Sequence, residues 1–90
     1  MARDIIETTQ FRRDYRKIAY SGRCSRDEFL IVIDILMHDK TMPLKYRDHA
    51  LVGEWKGYRE CHIRPDWLLV YQKQDQELIL VRTGSHSDLF

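Results

Sequence analysis

The sequence predicts an α+β fold, with two N-terminal helices packed on one face of a small, mainly antiparallel sheet in the order β-α-α-β-β-β. In the first half, apolar residues recur at helical spacing. In the second half there are three short runs of strand composition, joined by segments short enough for hairpins. Ninety residues make one small domain, residues 1–90, with a single core and a modest stability margin.

Arg3 to Thr8 contains Ile5-Ile6 and reads as a first strand. From Thr9 the period changes. Phe11, Tyr15, Ile18 and Ala19 fall at i, i+4, i+7 and i+8, one face of a helix that Ser21-Gly22 ends. Ser25-Arg26-Asp27-Glu28 matches a capping box, in which the serine hydroxyl caps a first-turn amide and the glutamate reaches back to the cap amide. Phe29, Val32, Ile33 and Leu36 then form a helical stripe. Leu30, Ile31, Ile35 and Met37 widen it, which predicts packing on more than one side. This second helix is expected to end near Asp39, since Pro43 lies shortly beyond. Lys40 to Val52 reads as a loop. The three strands follow, at Glu54 to Ile63, Asp66 to Gln72 and Glu77 to Arg82. Arg64-Pro65 and Lys73-Gln74-Asp75-Gln76 are the connections.

Composition excludes several classes. Hydrophobic content of 43% against 32% charged residues argues against disorder. No apolar run approaches the ~20 residues that span a bilayer, and Arg3 and Asp4 interrupt any signal-like hydrophobic stretch, so the expected compartment is the cytoplasm. Cys24 and Cys61 belong to no CxxC pair and read as reduced, structural thiols. Fifteen basic residues nearly balance fourteen acidic ones, so a net charge of +1 gives little sign of a strong nucleic-acid binder. The distribution says more. Arg12, Arg13, Arg16 and Lys17 share one helical stretch, and Lys45, Arg47, Lys56, Arg59, Arg64 and Arg82 surround three histidines. Any one of them reads most simply as a solvated surface charge.

Those histidines are the chemical signal. His49, His62 and His86 each lie in a loop or at a strand end, where functional groups tend to sit on a rigid scaffold. Histidine's unperturbed pKa is the nearest to neutrality, so imidazoles beside arginines fit proton transfer on an anionic substrate. Asp66 follows His62 across a Pro-containing turn, so the two side chains can be neighbours at one sheet edge. Taken singly, each histidine reads as a surface or hydrogen-bonded structural residue, and Asp66 as a turn cap. Zinc is the competing chemistry, but Cys61 and His62 are strand neighbours pointing to opposite faces, and no HxxxH or HExxH is present. No metal or cofactor is expected. Trp55, Tyr58, Trp67 and Tyr71 are candidate stacking platforms, with core packing the default for Trp55 and Tyr71. Phe90, at the last position, is no central core residue and is free to stack on a base or plug a groove.

Three runs carry a resemblance. They are Tyr46-x-Asp48-His49-x-Leu51-x-Gly53-x-Trp55-Lys56-Gly57-Tyr58-Arg59, then His62-x-x-Pro65-Asp66-Trp67-x-Leu69-x-Tyr71, then Arg82-Thr83-Gly84-Ser85-His86-x-x-Leu89-Phe90. Together they closely resemble the YafQ-type branch of the RelE/ParE toxin superfamily over roughly the C-terminal half. The N-terminal helices agree with it in layout and length rather than in motif. The resemblance implies a RelE-like fold and a type II toxin that cleaves mRNA in the ribosomal A site, against 16S rRNA, without metal. It implies attack by the 2′-hydroxyl of the RNA. It implies that His49, His62, Asp66 and His86 form the catalytic set, that Arg82 meets the phosphate and that Phe90 helps place the substrate. Glu60, Lys56, Arg59 and Trp67 are further candidates for substrate contact.

His86 is the expected general acid, and the base is open among Asp66, His62 and His49. An aspartate base would need its pKa raised by burial or by acids such as Glu60. The implied partners are a cognate antitoxin, the ribosome and mRNA. Operator DNA enters only indirectly through the antitoxin complex, and no membrane is involved. Two other readings stand beside this one: a non-enzymatic binding module on the same fold, of the kind that poisons DNA gyrase, and a decayed toxin that keeps only antitoxin binding and operon repression.

Overall fold

Two hydroxyls start the N-terminal helices. Thr8 Oγ1 accepts from the Phe11 amide at 2.9 Å and donates to the Val81 carbonyl at 2.9 Å, so one side chain caps a helix and ties its start to the last strand. Ser25 Oγ accepts from the Glu28 amide at 3.4 Å. The capping box read from the sequence is only half formed here, because the Glu28 carboxylate takes Arg64 instead, at 2.6 and 3.2 Å.

The computed structural model describes residues 2–22 and 24–90. Its elements are β1 (Asp4–Glu7), α1 (Thr9–Tyr20), α2 (Arg26–Met37), β2 (His49–Ala50), β3 (Arg59–Arg64), β4 (Trp67–Lys73), β5 (Glu77–Gly84) and α3 (His86–Leu89). The five strands form one sheet in the order β1-β5-β4-β3-β2. β1 runs parallel to β5, with Asp4 opposite Glu77, and the remaining pairs are antiparallel. The expected α+β architecture is therefore present. Among the described residues, no helix is long and apolar enough to cross a membrane.

Four local expectations change. The loop before the hairpins holds a single helical turn at Leu44–Tyr46 and the two-residue strand β2, which pairs with β3. The strand expected from Glu54 begins only at Arg59, because Gly53–Trp55 winds into a tight turn started by Gly53 at φ +68°. The expected tail after the third strand is α3. Finally, α2 packs on a narrower arc than expected: Phe29, Val32, Ile33 and Leu36 are buried and Ile35 and Met37 half-buried against the same core, whereas Leu30 and Ile31 stay exposed.

Strand alternation sorts side chains to two faces. Cys61, Ile63, Trp67, Leu69, Tyr71, Leu78 and Leu80 meet Phe11, Ile18 and the α2 stripe on the helix side. Phe29 stacks on Trp67 with ring centroids 6.4 Å apart, and on Phe11 at 6.1 Å. Leu68 and Val70 face the other way, under Leu89, Leu51, Trp55, Tyr58 and Val81. Burial raises the Cys61 thiol well above its ordinary range, in keeping with a reduced structural cysteine, and both cysteines are unpaired.

One carboxylate gathers three segments. Asp39, just after α2, takes Lys73 Nζ at 2.9 Å and Arg3 Nη1 at 2.5 Å, and these partners, Lys73 first, lower its pKa to about 2. A folded pKa below the unfolded one stabilises above the unfolded value, near pH 4, and the contribution fades as pH falls towards 2. Asp39→Asn, which tolerates the φ of 51°, should lower the melting temperature at neutral pH. Its deficit relative to wild type should close between about pH 4 and pH 2 in a thermal titration. Phe29→Ala, which opens the aromatic stack, should cost about 3–5 kcal/mol in urea unfolding.

Candidate active site

The face of the sheet opposite the two long helices carries the histidines. β3 alternates, so Cys61 and Ile63 enter the core while Glu60 and His62 point to the opposite face. β2 sets His49 opposite Glu60 in register. Glu60, only 5% exposed, lies between two imidazoles: His49 Nε2 and His62 Nε2 are each 3.5 Å from its Oε1. The two rings are 6.3 Å apart.

His49 has a defined orientation. Its Nδ1 lies 2.7 Å from the Arg47 carbonyl. A carbonyl only accepts, so Nδ1 carries the proton and Nε2 presents either a lone pair or a second proton towards Glu60. Arg47 holds the left-handed conformation, φ 49°, that aims this carbonyl. Just before His49, Asp48 turns to the helix side. Its Oδ2 accepts from Arg59 Nη2 at 2.8 Å and its Oδ1 from the Tyr71 hydroxyl. Burial first, and the Asp48 bond second, push the Tyr71 phenol well above its ordinary range, so it stays a donor.

The C-terminus closes the other side of this face. Ser85 Oγ accepts from the Asp88 amide at 3.2 Å and Asp88 Oδ2 from the Ser85 amide at 3.1 Å, a complete capping box for α3. Gly84 leads into it at φ +153°, where a Cβ would meet the Asp88 side chain at 3.2 Å. Leu89 is buried over Leu68 and Val70. His86 stays exposed beside Phe90, with centroids 5.4 Å apart, and Phe90 meets the edge of Trp55 at 6.1 Å. Phe90 is 51% exposed, off the core as expected.

Register relates the two sides. His62, Leu68 and Gly84 form one row across β3, β4 and β5, roughly 10 Å over two strand spacings. His86 lies two residues past that row. Asp66 is exposed in the two-residue turn that ends the same hairpin. Glu60, Val70 and Arg82 form the adjacent row. Arg82 is held by Asp14 of α1 through Nε at 2.8 Å and Nη2 at 3.2 Å. Burial opposes ionisation of Asp14, but the hydrogen bonds from Arg82, Gln10 and the Thr83 amide outweigh it and hold the carboxyl below its usual range.

The structure thus brings His49, Glu60 and His62 into contact, and puts Asp66 and His86 at the same end of the sheet. It removes Trp67 from the substrate contacts. That ring is 1% exposed, stacked on Phe29, and its Nε1 donates to Thr83 Oγ1 at 2.9 Å. Arg59 is engaged with Asp48 on the helix side, while Lys56 stands exposed in the turn before β3. A groove of about 310 Å³ opens beside His62, between Lys45, Ile31, Arg64 and Pro65. Sequence reasoning missed Asp48, Asp14 and Tyr71 as polar anchors. For Asp48 the signal was adjacency: a carboxylate beside a histidine on an alternating strand must face the other way. Among the described residues, no group of three or more His, Cys, Asp or Glu side chains is arranged to hold a metal ion.

Residues 3–90 match the family of bacterial toxins of type II toxin–antitoxin systems, YafQ. The chain belongs to this YafQ toxin family. It is 41% identical over 88 residues to the mRNA interferase toxin YafQ of Escherichia coli K12, spanning 83% of this chain and 96% of that one. Among solved structures it resembles a copper-bound mutant toxin from Helicobacter pylori, with a TM-score of 0.93 and 41% identity over the whole of both chains. It also resembles the E. coli DinJ–YafQ toxin–antitoxin complex, with a TM-score of 0.89 and 34% identity over 100% of this chain and 99% of that one.

Leu89 is the apolar anchor of α3. Leu89→Ala should speed amide exchange at Leu89 and Phe90 while the β4 amides keep their protection. It should cost on the order of 2 kcal/mol in denaturant unfolding.

Proposed function

We propose that this protein is an mRNA interferase toxin, a ribosome-dependent endoribonuclease that cleaves mRNA in the ribosomal A site without metal and is held in check by a cognate antitoxin. The observation that carries this reading is the buried Glu60 carboxylate between His49 and His62, on an exposed sheet face that also offers His86 and Arg82. It is supported by the E. coli relative that is named an mRNA interferase toxin, and by the complex of a related toxin with DinJ.

The reaction needs a base, an acid and positive charge at phosphorus. The base takes the 2′-hydroxyl proton as that oxygen bonds to the adjacent phosphorus. The bond from phosphorus to the 5′-oxygen breaks, and His86 gives its proton to the leaving oxygen. A 2′,3′-cyclic phosphate and a 5′-hydroxyl result. Asp66 is exposed, which favours an imidazole over it as base. His49 combines a Nδ1 fixed by the Arg47 carbonyl with a Nε2 directed at Glu60. Glu60 orients both imidazoles and offsets positive charge when a proton arrives. Arg82 meets the phosphoryl oxygens with the part of its guanidinium that Asp14 leaves open, since Nη1 is in neither of the two bonds to that carboxylate. Phe90 and Lys56 border the substrate, and the ribosome supplies much of the positioning that a net charge of +1 does not.

The test is primer-extension mapping of mRNA ends in a translating extract. Wild-type protein should give codon-phased cuts that require ribosomes and survive a chelator. His86→Ala, His49→Ala and His62→Ala should each lower cleavage on the order of a hundredfold or more. Full activity in all three variants, or no cuts by folded wild-type protein, would sink this reading.

A further inference from the structure

β2 poses a mechanical problem. It places His49 opposite Glu60, yet it is only two residues long and sits at the sheet edge. Beyond those two register pairs, the backbone bond that closes the segment onto β3's approach, among the described residues, runs from the Leu51 amide to the Tyr58 carbonyl at 2.9 Å. Edge pairing this short does not fix a side chain to within the fraction of an ångström that proton transfer requires.

The helix side of the same strand supplies the missing constraint. Asp48 is bound at both carboxylate oxygens, by the Tyr71 hydroxyl and by Arg59 Nη2 at 2.8 Å. Tyr71 is fully buried in β4, and Arg59 lies directly opposite it on β3. The donors therefore stand on the two neighbouring strands, β3 and β4, that pair along their length, while the acceptor belongs to the short edge segment. Asp48 lies between Arg47, whose carbonyl receives His49 Nδ1 at 2.7 Å, and His49 itself. Fixing Asp48 fixes both the carbonyl that sets the tautomer and the Cα that carries the ring.

We propose that Asp48, Tyr71 and Arg59 form a positioning clasp that holds His49 through the sheet, with Nε2 directed at Glu60 and His62. This inference rests on the reading of His49 as a member of the site. It moves Arg59 from a substrate contact to a positioning residue. None of the three touches the exposed face. They act through the orientation of one imidazole.

The experiment is long-range ¹H–¹⁵N spectroscopy of the histidine rings in wild type, Tyr71→Phe and Asp48→Asn, with the His86 ring as internal reference. Tyr71→Phe keeps the buried ring, so it remains informative if Asp48→Asn folds poorly. Wild type should show His49 in one Nδ1-protonated state. In folded variants the His49 nitrogens should move towards a tautomer average while His86 stays fixed. Ribosome-dependent cleavage should fall on the order of ten- to a hundredfold with KM unchanged. Unaltered His49 signals in folded Tyr71→Phe would overturn the clasp. So would an equal rate loss in Phe29→Leu, a core variant outside the clasp. The ring spectra report on the clasp even if the wild-type protein cuts no RNA, so failure of the ribonuclease reading is seen separately.

Discussion

Burial of β4 on both faces is the constraint on which the rest of the structure depends. Trp67, Leu69 and Tyr71 pack against the helices, while Leu68 and Val70 lie under α3 and the Trp55 turn. An antiparallel strand in so small a chain is usually wet on one side. Here the second side is covered by elements that border the candidate site. α3 is held down by Leu89, and β3, which supplies Glu60 and His62, pairs with β4 along its length. The candidate site is thus built on a close-packed floor, and its side chains inherit that rigidity.

Charge follows the same logic. A net charge of +1 gives little sign of a nucleic-acid-binding surface, but the acids that lower it are placed with purpose. Asp14 holds Arg82, Asp48 holds Arg59, Glu28 holds Arg64, and Asp39 joins Arg3 to Lys73. Several of the basic residues around the histidines are thereby fixed in orientation rather than left to sample solvent. A fixed guanidinium loses less entropy on meeting a phosphate than a free one does.

Much of this was legible in the residues. Helical spacing located α1 and α2, and alternation with short connections located the hairpins of β3, β4 and β5. The histidines read as loop or strand-end residues stand instead on β2, within β3 and at the start of α3, and alternation brings His49 and His62 to one face. What escaped was long-range. Glu28 matched a local capping box, but Arg64 at the end of β3 reaches it and a charged partner wins. Trp67 looked available as a stacking platform because sequence shows its type and not its depth. β2 had no signal of its own, since two residues pair only because β3 stands beside them. Asp48 joined the site through Tyr71, which lies on a distant strand.

The parallel pairing of β1 with β5 bears on how the chain reaches this state. Asp4 meets Glu77 across nearly the whole sequence, and Thr8 bonds to Val81. β1 has no strand partner until β5 exists, and His86 follows β5 in the chain. The helices and the β3–β4 hairpin can gather locally, but closure of the sheet waits for β5, because loop-closure entropy is met before distant pairing repays it. The sheet and the His86 side of the candidate site are thus completed in one late event, and a chain that stops before β5 has neither.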